Sequence, residues 1–171
     1  MGERSTATEF AGRLNRFYAT ATDVLIHHDG LVDKLIGDEV MALFIPAVAG
    51  ERHAQRAVDA AQGLLRATGH EDAQGPWLPI GAGVHTGTAF VGSVGDTLQT
   101  EITALGDVVN TAARLASSAA GGEILVTDVA ASAAGFDASA VEHRQLELKG
   151  KSLATDVIVI SVGRDVAVGT V

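Results

Sequence analysis

Apolar residues recur at helical spacing across Ser5–His28, where Phe10, Leu14, Phe17, Tyr18, Ala21 and Leu25 share one face. Thr6-Ala7-Thr8-Glu9 ahead of them has the form of a capping box. His27-His28-Asp29-Gly30 reads as the stop, with Gly30 suited to a C-cap or turn. The period then shortens. Asp33–Phe44, DKLIGDEVMALF, lies within two short strands, Leu31–Ile36 and Val40–Phe44, joined at Gly37-Asp38. Ile45–Gly50 is a connection. Helical spacing returns in Glu51–Thr68, with Ala54, Ala57, Val58, Ala61, Leu64 and Leu65 on one face and Gly69 at the end. Trp77–Val84 and Thr88–Gly92 read as strands, and glycines inside them mark bulges or close backbone approach. A short strand near Ile102–Leu105 runs into a helix opening at Gly106-Asp107. Ile124–Thr127 is a buried strand and Asp128–Ala134 a short helix. Val141–Leu148 and Asp156–Val162 are the last strands. The chain therefore divides into one domain, residues 1–162, and a loose tail, residues 163–171.

Composition narrows the class. With 171 residues, 47% hydrophobic and 19% charged, the chain is long enough and apolar enough for a real core. Twelve Lys+Arg against 21 Asp+Glu give a formal charge of -9. That balance argues against nucleic acid and anionic membrane surfaces as partners, while a small anion can still be held by a local basic pocket or a metal. There is no cysteine, which excludes disulfides and thiolate metal sites. No apolar run approaches a membrane span, and the N-terminus lacks a signal-peptide pattern. The expectation is a soluble, cytoplasmic domain with no direct membrane contact.

Three places carry candidate chemistry. Asp38 stands at the tip of the hairpin, where a carboxylate can meet a metal or a phosphate-bound cation. Lys34 lies four residues earlier on an apolar strand, a costly place for an unpaired charge. On these residues alone, a solvated tip with a surface lysine is an equal reading. Asn110 and Arg114, four apart, project from one face of a helix, and alone they also fit the solvated stripe of an amphipathic helix. His27 and His28 suggest a metal only weakly, because neighbours at a helix end diverge and no third ligand is in view. No glycine-rich run ends in Lys-Ser/Thr before a helix, so a phosphate-loop reading is poor.

Taken together, HDGLVDKLIGDEVMALF, IGAGVHTG, ALGDVVNTAARL with GGEILVT, and LKGK resemble the catalytic domain of class III adenylate/guanylate cyclases, in order and spacing, over roughly Glu9 to Val162. The resemblance implies an α/β sandwich with a ferredoxin-like βαββαβ core, active as a homodimer with its sites at the subunit interface. It also implies ATP as substrate, cyclic AMP and pyrophosphate as products, and Mg2+ or Mn2+ as cofactor. Asp38 matches the second of two metal-binding aspartates. Lys34 and Thr103 match the two base-selecting positions, Lys34 in the form typical of adenine-specific members. Asn110 matches the residue that positions the ribose, and Arg114 the one that stabilises the pentavalent transition state. Lys149 or Lys151 matches the lysine on the terminal phosphates, with Lys151 slightly preferred.

One part of the family pattern is missing. The FxDIxGFT strand, whose Asp is the first metal ligand, occurs nowhere in the sequence. Residues 1–5 match the segment that normally follows it. The expectation is a domain lacking its first strand, about 10–15 residues by usual strand and loop lengths. Either the chain is clipped or it is a natural non-catalytic variant, and retention of the other catalytic positions favours clipping. Two functions stay open: an adenylate cyclase with little or no activity in this form, or a non-catalytic nucleotide-binding partner that dimerises with a complete cyclase. An unrelated RNA-binding module of similar fold fits poorly with the acidic charge.

Overall fold

The computed structural model describes residues 6–95, 100–147 and 154–163. Helix α1 (Ala7–His27) opens with the predicted capping box: the Glu9 N–H donates to Thr6 Oγ1 and the Thr6 N–H donates to Glu9 Oε2. It closes one residue earlier than the glycine suggested, because Asp29, not Gly30, takes the left-handed conformation (φ 59°). Strands β1 (Leu31–Ile36) and β2 (Glu39–Leu43) form the expected hairpin, with Gly37 at φ 59° in the two-residue turn. Such turns require positive φ and so favour glycine. The connection at Ile45–Gly50 contains a short helix, α2 (Pro46–Ala49), because Pro46 sits at its first position, where a missing N–H costs nothing.

Helix α3 (His53–Ala67) leads to a stretch where the strand expectation fails in part. Of Trp77–Val84, only β3 (Ala82–Val84) is a strand. The preceding residues fold back on the end of α3 instead. The Trp77 N–H donates to the Thr68 carbonyl, and the indole N–H to that of Ala67. The Arg16 guanidinium lies over the indole ring at 3.9 Å, a favourable cation–π contact. Pro79 has no N–H to give a ladder. Next come β4 (Phe90–Gly95), β5 (Thr100–Leu105), α4 (Asp107–Ser118), β6 (Glu123–Thr127), α5 (Asp128–Ala133), β7 (Glu142–Leu146) and β8 (Thr155–Ser161).

The main sheet runs β3-β6-β8-β7, with β3 parallel to β6 and the other pairs antiparallel. Alternate side chains of β6 and β8 enter different cores. Ile124, Val126, Ile158 and Ile160 pack with Val58 and Leu65 of α3 and with Ala130 and Ala131 of α5. Leu125, Val157 and Val159 pack with Leu115 of α4. Burial on both faces explains why these strands read as unbroken apolar runs. A third core joins Phe17, Ala21 and Leu25 of α1 and Ala60 of α3 to Val32, Val40 and Ala42 of the hairpin and to Ile80 just before β3. This is an α/β fold of the kind the resemblance implied.

The sheet is interrupted, however. Among the described residues β1 is bonded only to β2, and β3 only to β6, so each presents an open edge beside the α1–α3 layer. The β4–β5 hairpin pairs with neither.

Glycine in β3 marks close approach, not a bulge. A Cβ on Gly83 would lie 2.4 Å from the Ala116 nitrogen and 2.7 Å from the Ala112 carbonyl oxygen, both backbone atoms of α4. Gly83→Ala is expected to push α4 off the sheet and to lower unfolding stability by about 3 kcal/mol, measured by urea denaturation. An unchanged midpoint would mean that α4 gives way freely, and the close approach would then have no structural weight.

Candidate functional site

The hairpin tip is built as the sequence suggests. Ile36 pairs with Glu39, which leaves Gly37-Asp38 as the turn and puts Asp38 in solvent. The Tyr18 hydroxyl donates to the Gly37 carbonyl and so fastens this turn to α1. His27 and His28, by contrast, turn inward to their own helix. Their Nδ1 atoms lie 2.7 Å and 2.8 Å from the carbonyls of Asp23 and Val24.

Lys34 is not a solvated surface lysine. Its Nζ lies 2.6 Å from Thr103 Oγ1, across 69 residues of sequence, and joins the β1–β2 hairpin to β5. Asp33 completes the cluster, with its Oδ2 3.1 Å from Thr103 Oγ1 and 3.6 Å from Lys34 Nζ. The side chains of Asp33 and Lys34 are 5% and 25% exposed, and Thr103 is 4% exposed. The family resemblance assigns Asp33 no role. A signal was present: two adjacent charges inside an otherwise apolar strand cannot both follow simple alternation.

Asn110 and Arg114 lie one turn apart on α4, the first exposed and the second half-buried. Among the described residues no carboxylate pairs with the Arg114 guanidinium. The helix starts directly after β5, so the strand that carries Thr103 also sets where these two begin. Within the chain, no hydrogen bond or ion pair among the described residues ties Asp38 to Lys34, Thr103, Asn110 or Arg114. Lys149 and Lys151 lie outside the described residues.

The donor set can be tested against a divalent cation. Asp38 offers hard carboxylate oxygens open to solvent, which suit Mg2+ or Mn2+ arriving with a phosphate ligand. One carboxylate together with nucleotide phosphates is a common way to hold Mg2+. A second ion would need further carboxylates, and among the described residues no group of three or more His, Asp or Glu side chains converges. Asp38 would hold one such ion, brought by a nucleotide.

Known proteins of one family resemble this chain. The profile of the adenylate and guanylate cyclase catalytic domain matches residues 1–161. Adenylate cyclase 1 of Rhizobium meliloti is 34% identical over 125 residues, covering 67% of this chain and 18% of that protein. The terminal-differentiation specific adenylate cyclase of Dictyostelium discoideum is 36% identical over 104 residues, covering 59% of this chain and 5% of that protein. The chain thus spans less than a fifth of either relative. Among solved structures, the guanylyl cyclase Cya2 superposes with a TM-score of 0.77 at 26% identity, covering 95% of this chain and 86% of that one. Adenylate and guanylyl names both occur, so likeness alone leaves the base undecided. No described helix is long and apolar enough to cross a membrane.

Proposed function

The chain belongs to the adenylate and guanylate cyclase catalytic-domain family, and from that premise we propose that it is an adenylate-type member whose substrate is ATP. The observation that carries the choice of base is the contact of Lys34 with Thr103. An ammonium offers only donors, and a hydroxyl can accept. Together they suit adenine, which presents an acceptor at its ring nitrogen N1 and a donor at its exocyclic amine. Guanine reverses both.

The reaction is an in-line attack of the ribose 3′ oxygen on the α-phosphorus. A new P–O bond closes the ring, the bond from the α-phosphorus to the bridging oxygen breaks, the 3′ proton passes to solvent, and pyrophosphate leaves. Asn110 orients the ribose so that its 3′ oxygen faces the phosphorus, which converts binding energy into geometry. Arg114 places a fixed positive charge on the equatorial oxygens, where charge gathers as the bonds exchange. Lys149 or Lys151 holds the terminal phosphates. A magnesium or manganese ion at Asp38, when bound, supplies positive charge to the phosphates. Among the described residues Asp38 has no hydrogen bond or ion pair to Lys34, Thr103, Asn110 or Arg114 of its own chain, so we place it opposite those four residues of a second copy. The proposed assembly is a homodimer with sites between subunits. The tail, residues 163–171, has no part in this scheme, and the domain acts in the cytoplasm.

A second reading is kept because Asp38 is the one matching metal carboxylate in the sequence: the chain binds nucleotide and assists a complete cyclase without turning over itself. In both readings ATP is expected to bind more tightly than GTP, and Lys34→Ala is expected to weaken ATP by about tenfold, the effect of losing a charge-assisted hydrogen bond. Equilibrium binding of both nucleotides checks this. Equal affinities in wild type, unmoved by the substitution, would remove Lys34 and Thr103 from the base pocket.

A further inference from the structure

On a regular strand Asp33 and Lys34 would point to opposite faces. Here both reach the same hydroxyl. The register of β1 on β2 shows why: Val32 faces Ala42 and Lys34 faces Met41, so Asp33 is an extra residue without a partner on β2. A bulge of this kind re-aims side chains. It brings a carboxylate and an ammonium together on Thr103 Oγ1.

The hydrogen bonds around that oxygen have a fixed sense. Lys34 can only donate, so it gives a proton to Oγ1, and a carboxylate can only accept, so it takes the hydroxyl proton. The other acceptor within reach, the Ala104 carbonyl, is 3.5 Å away, too far to compete well. A threonine hydroxyl has one proton and two lone pairs. Asp33 takes the proton and Lys34 takes one lone pair, so a single acceptor position is left. An unconstrained threonine can turn to donate or accept, but this one only accepts.

We infer that Asp33 is a positioning residue for base choice: it locks the Thr103 hydroxyl so that its remaining lone pair accepts from the exocyclic amine of adenine and opposes the oxygen that guanine carries there. This rests on the adenine-reading role proposed above for Lys34 and Thr103. Asp33 never needs to touch the nucleotide. It acts through Thr103, and its signature is a change in the ratio of affinities, not in affinity as such.

The test is equilibrium binding of ATP and GTP, each with Mn2+, to wild type, Asp33→Ala, Asp33→Asn, Thr103→Val and the double variant Asp33→Ala/Thr103→Val, with thermal unfolding as the control for folding. Wild type should favour ATP. Asp33→Ala should narrow that preference about tenfold, the worth of one hydrogen bond made or mismatched, mainly through better GTP binding. Asp33→Asn keeps an oxygen that accepts the hydroxyl proton, so it should hold the preference to within about threefold. Thr103→Val should narrow it as far as Asp33→Ala, and the double variant no further, because the two act as one unit. Equal losses of ATP and GTP affinity in Asp33→Ala, with the ratio unmoved, would overturn the inference and leave the adenine reading standing. A wild-type preference near one would overturn both. If Asp33→Ala does not fold, wild type alone decides with purine and 6-methoxypurine riboside triphosphates, which keep the ring acceptor. The 6-methoxy compound should bind more weakly than the unsubstituted one. Equal or tighter binding would show a hydroxyl free to donate, and the inference would fall.

Discussion

A polypeptide of these 171 residues is expected to bind ATP with Mn2+ yet form little or no cyclic AMP, and grafting an FxDIxGFT strand ahead of Met1 is expected to raise the rate by about a thousandfold. The magnitude follows from charge. A missing metal carboxylate removes several kcal/mol of transition-state stabilisation, and each 1.4 kcal/mol is about tenfold in rate. Binding should survive, because one ion can arrive on the β and γ phosphates and Asp38 stands exposed to meet it. The fold offers a place for the graft, since among the described residues β1 and β3 both have open edges beside the same helical layer. In the grafted chain Asp38→Ala should abolish the recovered rate. Cyclic AMP release, followed over time with both chains, is the measurement. Robust turnover by the ungrafted chain would mean that some other carboxylate fills the place.

Arg114→Ala in the grafted chain is expected to lower the rate constant by about a hundred- to a thousandfold while changing ATP affinity only a few-fold. This is the usual cost of removing one fixed donor aimed at charge that develops in the transition state. Arg114 is half-buried on α4, and among the described residues no carboxylate pairs with it, so its charge is available to a phosphate. A ground-state phosphate contact would behave differently, because ATP affinity would fall while the rate constant at saturating ATP held. Single-turnover kinetics at saturating ATP separates the two. A rate within threefold of the parent would remove Arg114 from the reacting centre.

Much of this architecture is legible in the sequence because local signals and tertiary demands agree. Thr6 and Glu9 announce the start of α1, and the cap forms as written. Gly37-Asp38 announces the hairpin turn. The apolar runs of β6 and β8 announce strands covered on both faces. Legibility ends where partners distant in sequence decide. Trp77–Ile80 has strand-like composition, but its backbone and indole are claimed by the end of α3. Likewise, no spacing rule predicts that Lys34 meets Thr103 across 69 residues. The family resemblance put both at one base without showing that they touch. Asp33 visibly breaks the alternation of β1, but where it is aimed depends on a slip in register against β2, which β1 alone does not reveal. Lys149 and Lys151 lie outside the described residues, and their assignment rests on the resemblance.

The proposed ATP site is divided between two copies of this chain, Asp38 from one and Lys34, Thr103, Asn110 and Arg114 from the other. Such a site links binding to assembly, because a ligand that bridges two subunits favours the dimer by mass action. Sedimentation of the 171-residue chain, titrated with ATP and Mn2+, tests this most directly. A weak dimer is expected that strengthens as ATP is added, with Asp38→Ala blunting the response. A strict monomer at high concentration, with and without nucleotide, would contradict it.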